Sequence, residues 1–490
     1  MSDRRTVWRS LALALTMSLP GALAQAQQLL PNGLEGAGNH LRTSVAQPES
    51  TSQASGGYVR SVEPSLGPLA DPFGLRALLK PQGVEYSLTY IVDVLGNPTG
   101  GVRRGAIVED RLNLRLNLDL EKIAGWEGAT IHANAYFIHG TGLSRYYVDN
   151  LLTTSSIESL PASRLYVLWF DQKLFDGKLA IRAGQLAVDT EFFVSQTATL
   201  FMNTTFGFPA LGFLNLPGGG PIYPLAAPAI RARYKSNDNL TFQAGLYDGD
   251  PGGASRLGPD AEPQRLNRTG TNFRTNDPAL VVAEVVYAYN TDKDASGLPG
   301  TVTLGGWQHF GRFDDLRIDS AGQSLADPLS TGIPRQVRGN AGIFGVIDQT
   351  LYREPGKDDE GLSAFVRGGY SPTRSSLVDL YVDAGFAYKG LFDSREDDTL
   401  GFSVGHARIS RDARQADREQ IFYSGMAMPV RSAEKVYEVT YQAVVVPGFT
   451  VQPDFQYIVH PGAGIANPQD RTGRRIKNAA VLGIRAAVQY

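Results

Sequence analysis

The stretch Arg111-Leu-Asn-Leu-Arg-Leu-Asn-Leu-Asp-Leu120 decides the architecture of this chain. Leu112, Leu114, Leu116, Leu118 and Leu120 share one parity, and Arg111, Asn113, Arg115, Asn117 and Asp119 share the other. Side chains alternate across an extended strand, so this segment has one aliphatic face and one strongly polar face. A soluble sandwich also alternates, and the stretch alone fits either a sandwich or a membrane barrel. Number and rhythm separate the two.

Outward from it, about sixteen such segments follow one another, near 84–94, 107–120, 129–138, 164–171, 178–186, 229–235, 240–247, 280–289, 301–310, 339–350, 361–370, 378–388, 399–408, 435–445, 449–458 and 479–490. Many run for about ten residues, the length a tilted strand needs to cross a bilayer. Brief turns at Gly125-Trp-Glu-Gly128, Asp176-Gly177, Asn237-Asp-Asn239 and Pro447-Gly448 follow even-numbered strands. Longer stretches at 187–228, 248–279, 311–338, 409–434 and 459–478 follow most odd-numbered ones. Short periplasmic turns alternating with longer outer loops are the arrangement of bacterial outer-membrane barrels. The last strand, with Leu482, Ile484, Ala486, Val488 and Tyr490 on one parity, ends in an aromatic residue. It must pair with the first to abolish the sheet edge. The expected fold is an all-β, transmembrane antiparallel barrel spanning 71–490.

Two segments precede it. Arg4, Arg5 and Arg9 lead into a short apolar run from Leu11 to Ala24, interrupted by Pro20 and Gly21. That run is shorter than the roughly 20 residues of a spanning helix. Ala22-Leu23-Ala24 and Ala24-Gln25-Ala26 both fit the small-x-small cleavage pattern, so residues 1–26 are expected to be a signal peptide, cut after Ala24 or Ala26. Residues 27–70, rich in Gln, Ser, Gly and Pro, read as a flexible linker. A short helix is expected at Phe73 to Leu79, ended by Pro81 and Gly83.

Composition narrows the partners. The formal charge is -3, and losing Arg4, Arg5, Arg9 and Asp3 removes three positive charges and one negative, leaving about -5. A nucleic-acid partner would favour a basic domain, so none is expected. The chain has no cysteine, which excludes disulfides and thiolate metal sites. Gly401-Phe-Ser-Val-Gly405 imitates a nucleophile elbow but lies inside an alternating strand, whereas that motif needs a strand-to-helix turn. Asp292, Asp294, Ser296 and Gly297 imitate the start of a calcium loop, yet Thr303 stands where the bidentate Glu belongs. The six histidines form no H-E-x-x-H pair. Neither an enzyme nor a cofactor or metal is expected. The partners expected are small solutes and outer-membrane lipid, with association into a homo-oligomer left open.

The polar parity of a barrel faces its lumen. It assigns Arg111, Arg115, Arg164, Arg182, Arg231, Arg233, Arg367 and Arg485 to the inside, with Asp119, Glu284, Asp379, Asp383, Glu438 and Asp454. The stretch 187–228 carries Asp189, Glu191, Phe192, Phe193, Asn203, Phe206, Phe208, Phe213 and Tyr223, far more aromatics than a solvated loop needs. Folded into the lumen, it would pack against the wall or stack on sugar rings. Carboxylates facing arginines at a narrow point offer hydroxyl-rich solutes both acceptors and donors. Arg111, Arg115, Arg164, Arg182, Asp189, Glu191, Arg231 and Arg233 are therefore the candidate constriction and solute-binding residues.

Between Arg164 and Lys235 the chain reads RLYVLWF, then FDGKLAIRAGQLAVDTEFFVSQTATLFMNTTFGFPAL, then LPGGGPIYPLAAPAIRARYK. This stretch resembles the carbohydrate-selective porin (OprB-type) family. GWEGA at 125–129, GLSRYYVDNLLTTSSIE at 142–158, DGDPGG at 248–253 and NRTGTNFR at 267–274 look similar too. The family's Trp-Gly-Gly run before the first strand is replaced by Asp71-Pro-Phe-Gly-Leu-Arg. The resemblance implies a sixteen-stranded outer-membrane porin of a Gram-negative bacterium, admitting monosaccharides and related polar solutes by passive diffusion. The inward arginines keep a second reading open, a general or anion-preferring pore.

Overall fold

The alternating leucines of 111–120 form the second strand of a closed ring, and their faces sort as period two requires. Leu114 and Leu116 stand exposed on the outside, while Arg111 and Asn113 are buried inside. The computed structural model describes residues 61–490 except Pro72, 254–261, 292–294, Asp358 and Thr373. The expected signal peptide, most of the expected linker and the calcium-loop look-alike at 292–294 lie outside the described residues.

Sixteen antiparallel strands close one barrel. They are β1 (Val84–Gly101), β2 (Gly105–Asp119), β3 (Ala129–Gly140), β4 (Ala162–Leu174), β5 (Leu179–Leu186), β6 (Ala227–Lys235), β7 (Leu240–Asp248) and β8 (Ala279–Tyr289). The second half comprises β9 (Gly300–Asp319), β10 (Pro334–Arg353), β11 (Gly361–Tyr370), β12 (Val378–Lys389), β13 (Thr399–Ile409), β14 (Ala433–Val446), β15 (Phe449–Val459) and β16 (Lys477–Gln489). Each pairs with its sequence neighbours, and β16 closes on β1 from Thr89↔Gln489 to Gly101↔Lys477. The backbone of Tyr490 adds two further bonds to Leu88, of 2.7 and 2.8 Å. Closure leaves no strand edge unpaired, which is what a sheet in lipid requires. Among the described residues no helix is long and apolar enough to cross a membrane.

Several sequence expectations change. The 20-residue strands β9 and β10 run well past 310 and 339, so the expected loop 311–338 shrinks to 320–333. The extension carries charged residues on both faces, hence its loop-like sequence, and one face is covered by the 409–434 loop, whose Glu419 pairs with Arg317 at 2.7 Å. Leu120 leaves the strand to open a short helix, α1 (Leu120–Ala124). Asp119 caps it, accepting from the N–H groups of Glu121 at 3.1 Å and Lys122 at 3.3 Å, and Gly125 ends it at φ 69°. Asp119 thus serves the turn and not the lumen. The loop 409–434 holds an unexpected helix, α2 (Arg411–Ser424), capped by Ser410.

The expected helix at 73–79 is shorter, Leu75–Leu79, and Pro81 sits within a following 3-10 turn (Lys80–Gln82) that stops at Gly83, φ 86°. Before it, Val62, in the segment expected to be a linker, is tied to the barrel, its N–H donating to the Gln489 carbonyl at 2.8 Å.

Candidate functional site

Two connections fill the interior. The segment 187–226, between β5 and β6, hydrogen-bonds to strands around most of the ring. The Phe193 N–H donates to Glu284 on β8 at 3.0 Å. Gln196 and Thr197 N–H groups donate to Asp348 on β10 at 3.1 and 3.0 Å. Met202 and Asn203 N–H groups donate to Glu438 on β14 at 2.5 and 3.1 Å. Arg367 on β11 reaches the carbonyls of Phe193, Thr205 and Phe206 at 3.1, 2.9 and 2.8 Å. The inward carboxylates of β8, β10 and β14 thus hold a loop backbone that would otherwise be buried without partners.

The loop's aromatic residues pack against the wall, one of the two uses expected of them. Phe193 stacks on Phe344 of β10 with centroids 4.1 Å apart, and Phe206 meets Phe365 of β11 edge-on. Such pairs add about 0.5–1.5 kcal/mol each to the burial of their area. Small wall residues make room for them. A Cβ on Gly401 would lie 2.5 Å from Leu200 Cδ2, and one on Gly405 would touch Thr205 Cγ2 at 3.4 Å. The glycines of the false nucleophile elbow are therefore the landing surface of the loop.

The second inner segment, 141–161, gave no signal of its own as an inner loop. Its residues 153–156 run beside 202–204, with Ser156 N–H on the Met202 carbonyl at 2.8 Å and Thr204 N–H on that of Thr153 at 2.9 Å. Glu434 of β14 accepts from Leu151 and Leu152 at 2.8 and 2.7 Å, and Ser155 Oγ donates to Asp93 of β1 at 2.7 Å.

The eight candidate residues fall into two groups. Arg182, Glu191, Arg231 and Arg233 come together on β5, β6 and the loop. Arg182 donates to Glu191 Oε1 at 2.8 Å and to Asp171 of β4 at 3.0 Å, with its guanidinium 3.6 Å from the Trp169 ring centroid. Arg231 Nε donates to Glu191 Oε2, and Arg233 Nη2 lies 3.9 Å from the same oxygen. Arg233 Nε donates to Gln243 Oε1 at 2.8 Å, while Gln243 Nε2 reaches Glu284 at 2.7 Å. Arg182 and Arg231 are direct cross-strand partners. Like charges placed so repel, and the loop supplies the bridging carboxylate. Burial alone would raise the Glu191 carboxyl, but Arg182, Arg231 and Arg233 together hold it below its ordinary range. The Arg231 side chain is 1% exposed and that of Arg233 22%, so the latter is the more accessible.

The second group gathers on a tyrosine cluster. Arg111 is fully buried, 4.6 Å from the Tyr136 ring centroid and 5.0 Å from that of Tyr223. Asp189 accepts from the Tyr166 hydroxyl at 2.9 Å and from the Tyr223 N–H at 3.2 Å. Burial pushes its carboxyl up to about 6. Arg164 donates to the Pro224 carbonyl at 2.7 Å. Arg115, half-buried on β2, makes no hydrogen bond or ion pair among the described residues.

Sequence reasoning missed Asp171, Trp169, Gln243 and Asp348 as members of these networks. Asp171 was within reach of a register count, because the tight turn at Asp176-Gly177 sets it opposite Arg182. Beneath the loop, towards the short-turn end, Gln196 and Thr197 share a cavity of about 280 Å³ with Arg353, Ser363 and Lys389.

A profile described as "Carbohydrate-selective porin, OprB family" matches residues 103–490. The chain belongs to the carbohydrate-selective porin, OprB family. Porin B of Pseudomonas aeruginosa PAO1 is 26% identical over 440 residues, which cover 85% of this chain and 90% of that protein. A putative porin of Acinetobacter baylyi, QuiX, is 23% identical, with coverages of 82% and 90%. The structure of Pseudomonas putida OprB at high pH superposes with a TM-score of 0.75 at 25% identity, covering 86% of this chain and 97% of that one. The chain is thus an OprB-type porin of the outer membrane of a Gram-negative bacterium, and its family points to a channel rather than an enzyme. The polar ends of its strands belong to the two aqueous faces, as in other barrels of this kind.

Proposed function

We propose that this porin passes small carbohydrates by passive diffusion, through a constriction made by the inner loop 187–226 and the arginines of β5 and β6. The bridging of Arg182 and Arg231 by Glu191 carries the reading. It sets guanidinium donors and a carboxylate acceptor within one hydrogen-bonded cluster, with Arg233 and Gln243 beside it. A polyol can exchange its hydration for both kinds of partner at once. A charged solute of either sign meets a like charge there, and a site of mixed sign favours neither. The buried members, Arg111, Arg164, Arg182, Arg231 and Asp189, fix the loop in this reading, and Arg115 and Arg233 are the residues offered to solute. Liposomes containing the purified porin should swell faster with glucose than with charged solutes of equal size. Equal rates would leave a general porin.

The half-buried Arg115 and partly exposed Arg233 favour a second reading, an anion-preferring pore. Reversal potentials across a salt gradient separate the two: strong anion selectivity supports the second, weak selectivity the first.

A further inference from the structure

On the outer wall, Arg312 of β9 and Arg338 of β10 are direct cross-strand partners, both exposed. Their parity is the outward one. Trp307 and His309 on β9 point inward and are buried, while Leu304 and Phe310 are 65% and 55% exposed. On β10 the outward row holds Ile347 and Ile343, the latter 66% exposed, and above Ala341 a bulge at Gly339 (φ 79°) brings Arg338 level with Arg312. From Leu304 to Arg312 the strand climbs eight residues, roughly 26 Å along its axis and about 20 Å after tilt, close to the height of the apolar band. The two arginines therefore cap that band on the long-loop, outer side.

Opposed like charges cost stability. Among the described residues, no ion pair or hydrogen bond engages either guanidinium. Asp314, the next carboxylate in the outward row, accepts from Gln336 Nε2 at 2.6 Å, and Asp315 is paired with Arg335. Below the pair, an apolar groove of about 530 Å³ is lined by Val281, Ala283, Gly306, Ala341, Ile343 and Tyr370. It exists because Ala283, Gly306 and Ala341 put almost no side chain on the outer face of three neighbouring strands. Its upper edge, at Gln308, is four residues below Arg312, about 13 Å of strand and within the length of an acyl chain.

We propose that this face binds one phosphorylated glycolipid of the outer leaflet, its phosphate between Arg312 and Arg338 and one acyl chain in the groove. A phosphate oxygen pair matches the fork of two guanidinium groups and relieves their repulsion. The groove's continuity with the lipid-facing band makes a lipid its occupant.

The full-length porin in detergent, titrated with bis-phosphorylated, hexa-acylated lipid A and read by native mass spectrometry, tests this. One lipid molecule should be retained, and R312Q/R338Q should weaken it about tenfold or more. Dephosphorylated lipid A should bind weakly and equally to both proteins. A341F, which fills the groove, should weaken the phosphorylated lipid several-fold. Unchanged affinity in R312Q/R338Q, or displacement by millimolar inorganic phosphate, would overturn the lipid site, the second by revealing a bare anion site. Unchanged affinity in A341F would overturn the seating of the acyl chain. Heat-modifiable electrophoretic mobility and wild-type conductance report folding, and the single variants R312Q and R338Q serve if the double variant fails it.

Discussion

Arg367 on β11 grips Asp383 on β12 through two hydrogen bonds, 3.1 Å from Nε and 2.6 Å from Nη2. The same guanidinium holds three loop carbonyls, so one residue joins barrel wall and inner loop. Both side chains are fully buried. Removing one partner of such a pair leaves an uncompensated buried charge, at a cost of about 3–5 kcal/mol. Arg367→Ala should therefore lower stability to urea by about that amount and give a noisier, larger conductance in planar bilayers. Asp383→Asn in the Arg367→Ala background should recover part of the stability but not the conductance, because the carbonyls of Phe193, Thr205 and Phe206 remain unheld.

Arg231 and Arg233 sit two residues apart on one strand but differ in what they hold. Arg231→Ala removes a direct bond to Glu191 and should raise conductance by loosening the loop. Arg233→Ala, whose bond is to Gln243, should shift the reversal potential towards cations with little change in conductance. The double variant is expected to fold, with raised conductance or weakened selectivity. Single-channel recordings in a salt gradient give both quantities.

Glu438 anchors the far side of the loop through two backbone N–H groups. Glu438→Gln keeps a single acceptor oxygen and turns an amide towards the second N–H group. Leaving one buried donor without a partner costs about 1–3 kcal/mol. We expect Glu438→Gln to increase chymotrypsin cleavage within 196–214, at Phe201, Phe206 or Phe213, in the folded, detergent-solubilised porin, with heat-modifiable mobility unchanged. Equal protease resistance would mean the Phe193 and Phe206 packing holds the loop alone.

The two loop carboxylates give opposite pH dependences. Glu191 is held below its ordinary range, so its contribution is present above the ordinary carboxylate pKa and fades as pH falls through the lower folded value. Asp189 is raised to about 6, so its contribution is complete below the ordinary value and fades as pH rises through about 6. A shift of that size corresponds to roughly 3 kcal/mol at neutral pH. Asp189→Asn should flatten the stability profile between about pH 4 and pH 6 and stabilise the porin at pH 7, as urea titrations across that range would report.

The sequence alone determined the wall. Parity is set by the covalent geometry of an extended chain, so Leu112 to Leu118 could be given to lipid and Arg111, Arg182 and Arg231 to the inside without coordinates. The strand count and the closure of the last strand on the first followed from the same period. Tertiary structure alone decided which inward charges are spent on internal bonds. Asn203 meets Gln456 at 3.0 Å and Glu438 meets Met202 across more than 200 residues of chain. Contacts that remote leave no local period in the sequence, so the inner course of 141–161 and the anchoring roles of Glu284, Asp348 and Glu438 were invisible. The overhang of β9 and β10 was hidden because charged residues stand on both of its faces, Asp314 beside Asp315 and Arg317, so the alternation that reveals a strand disappears.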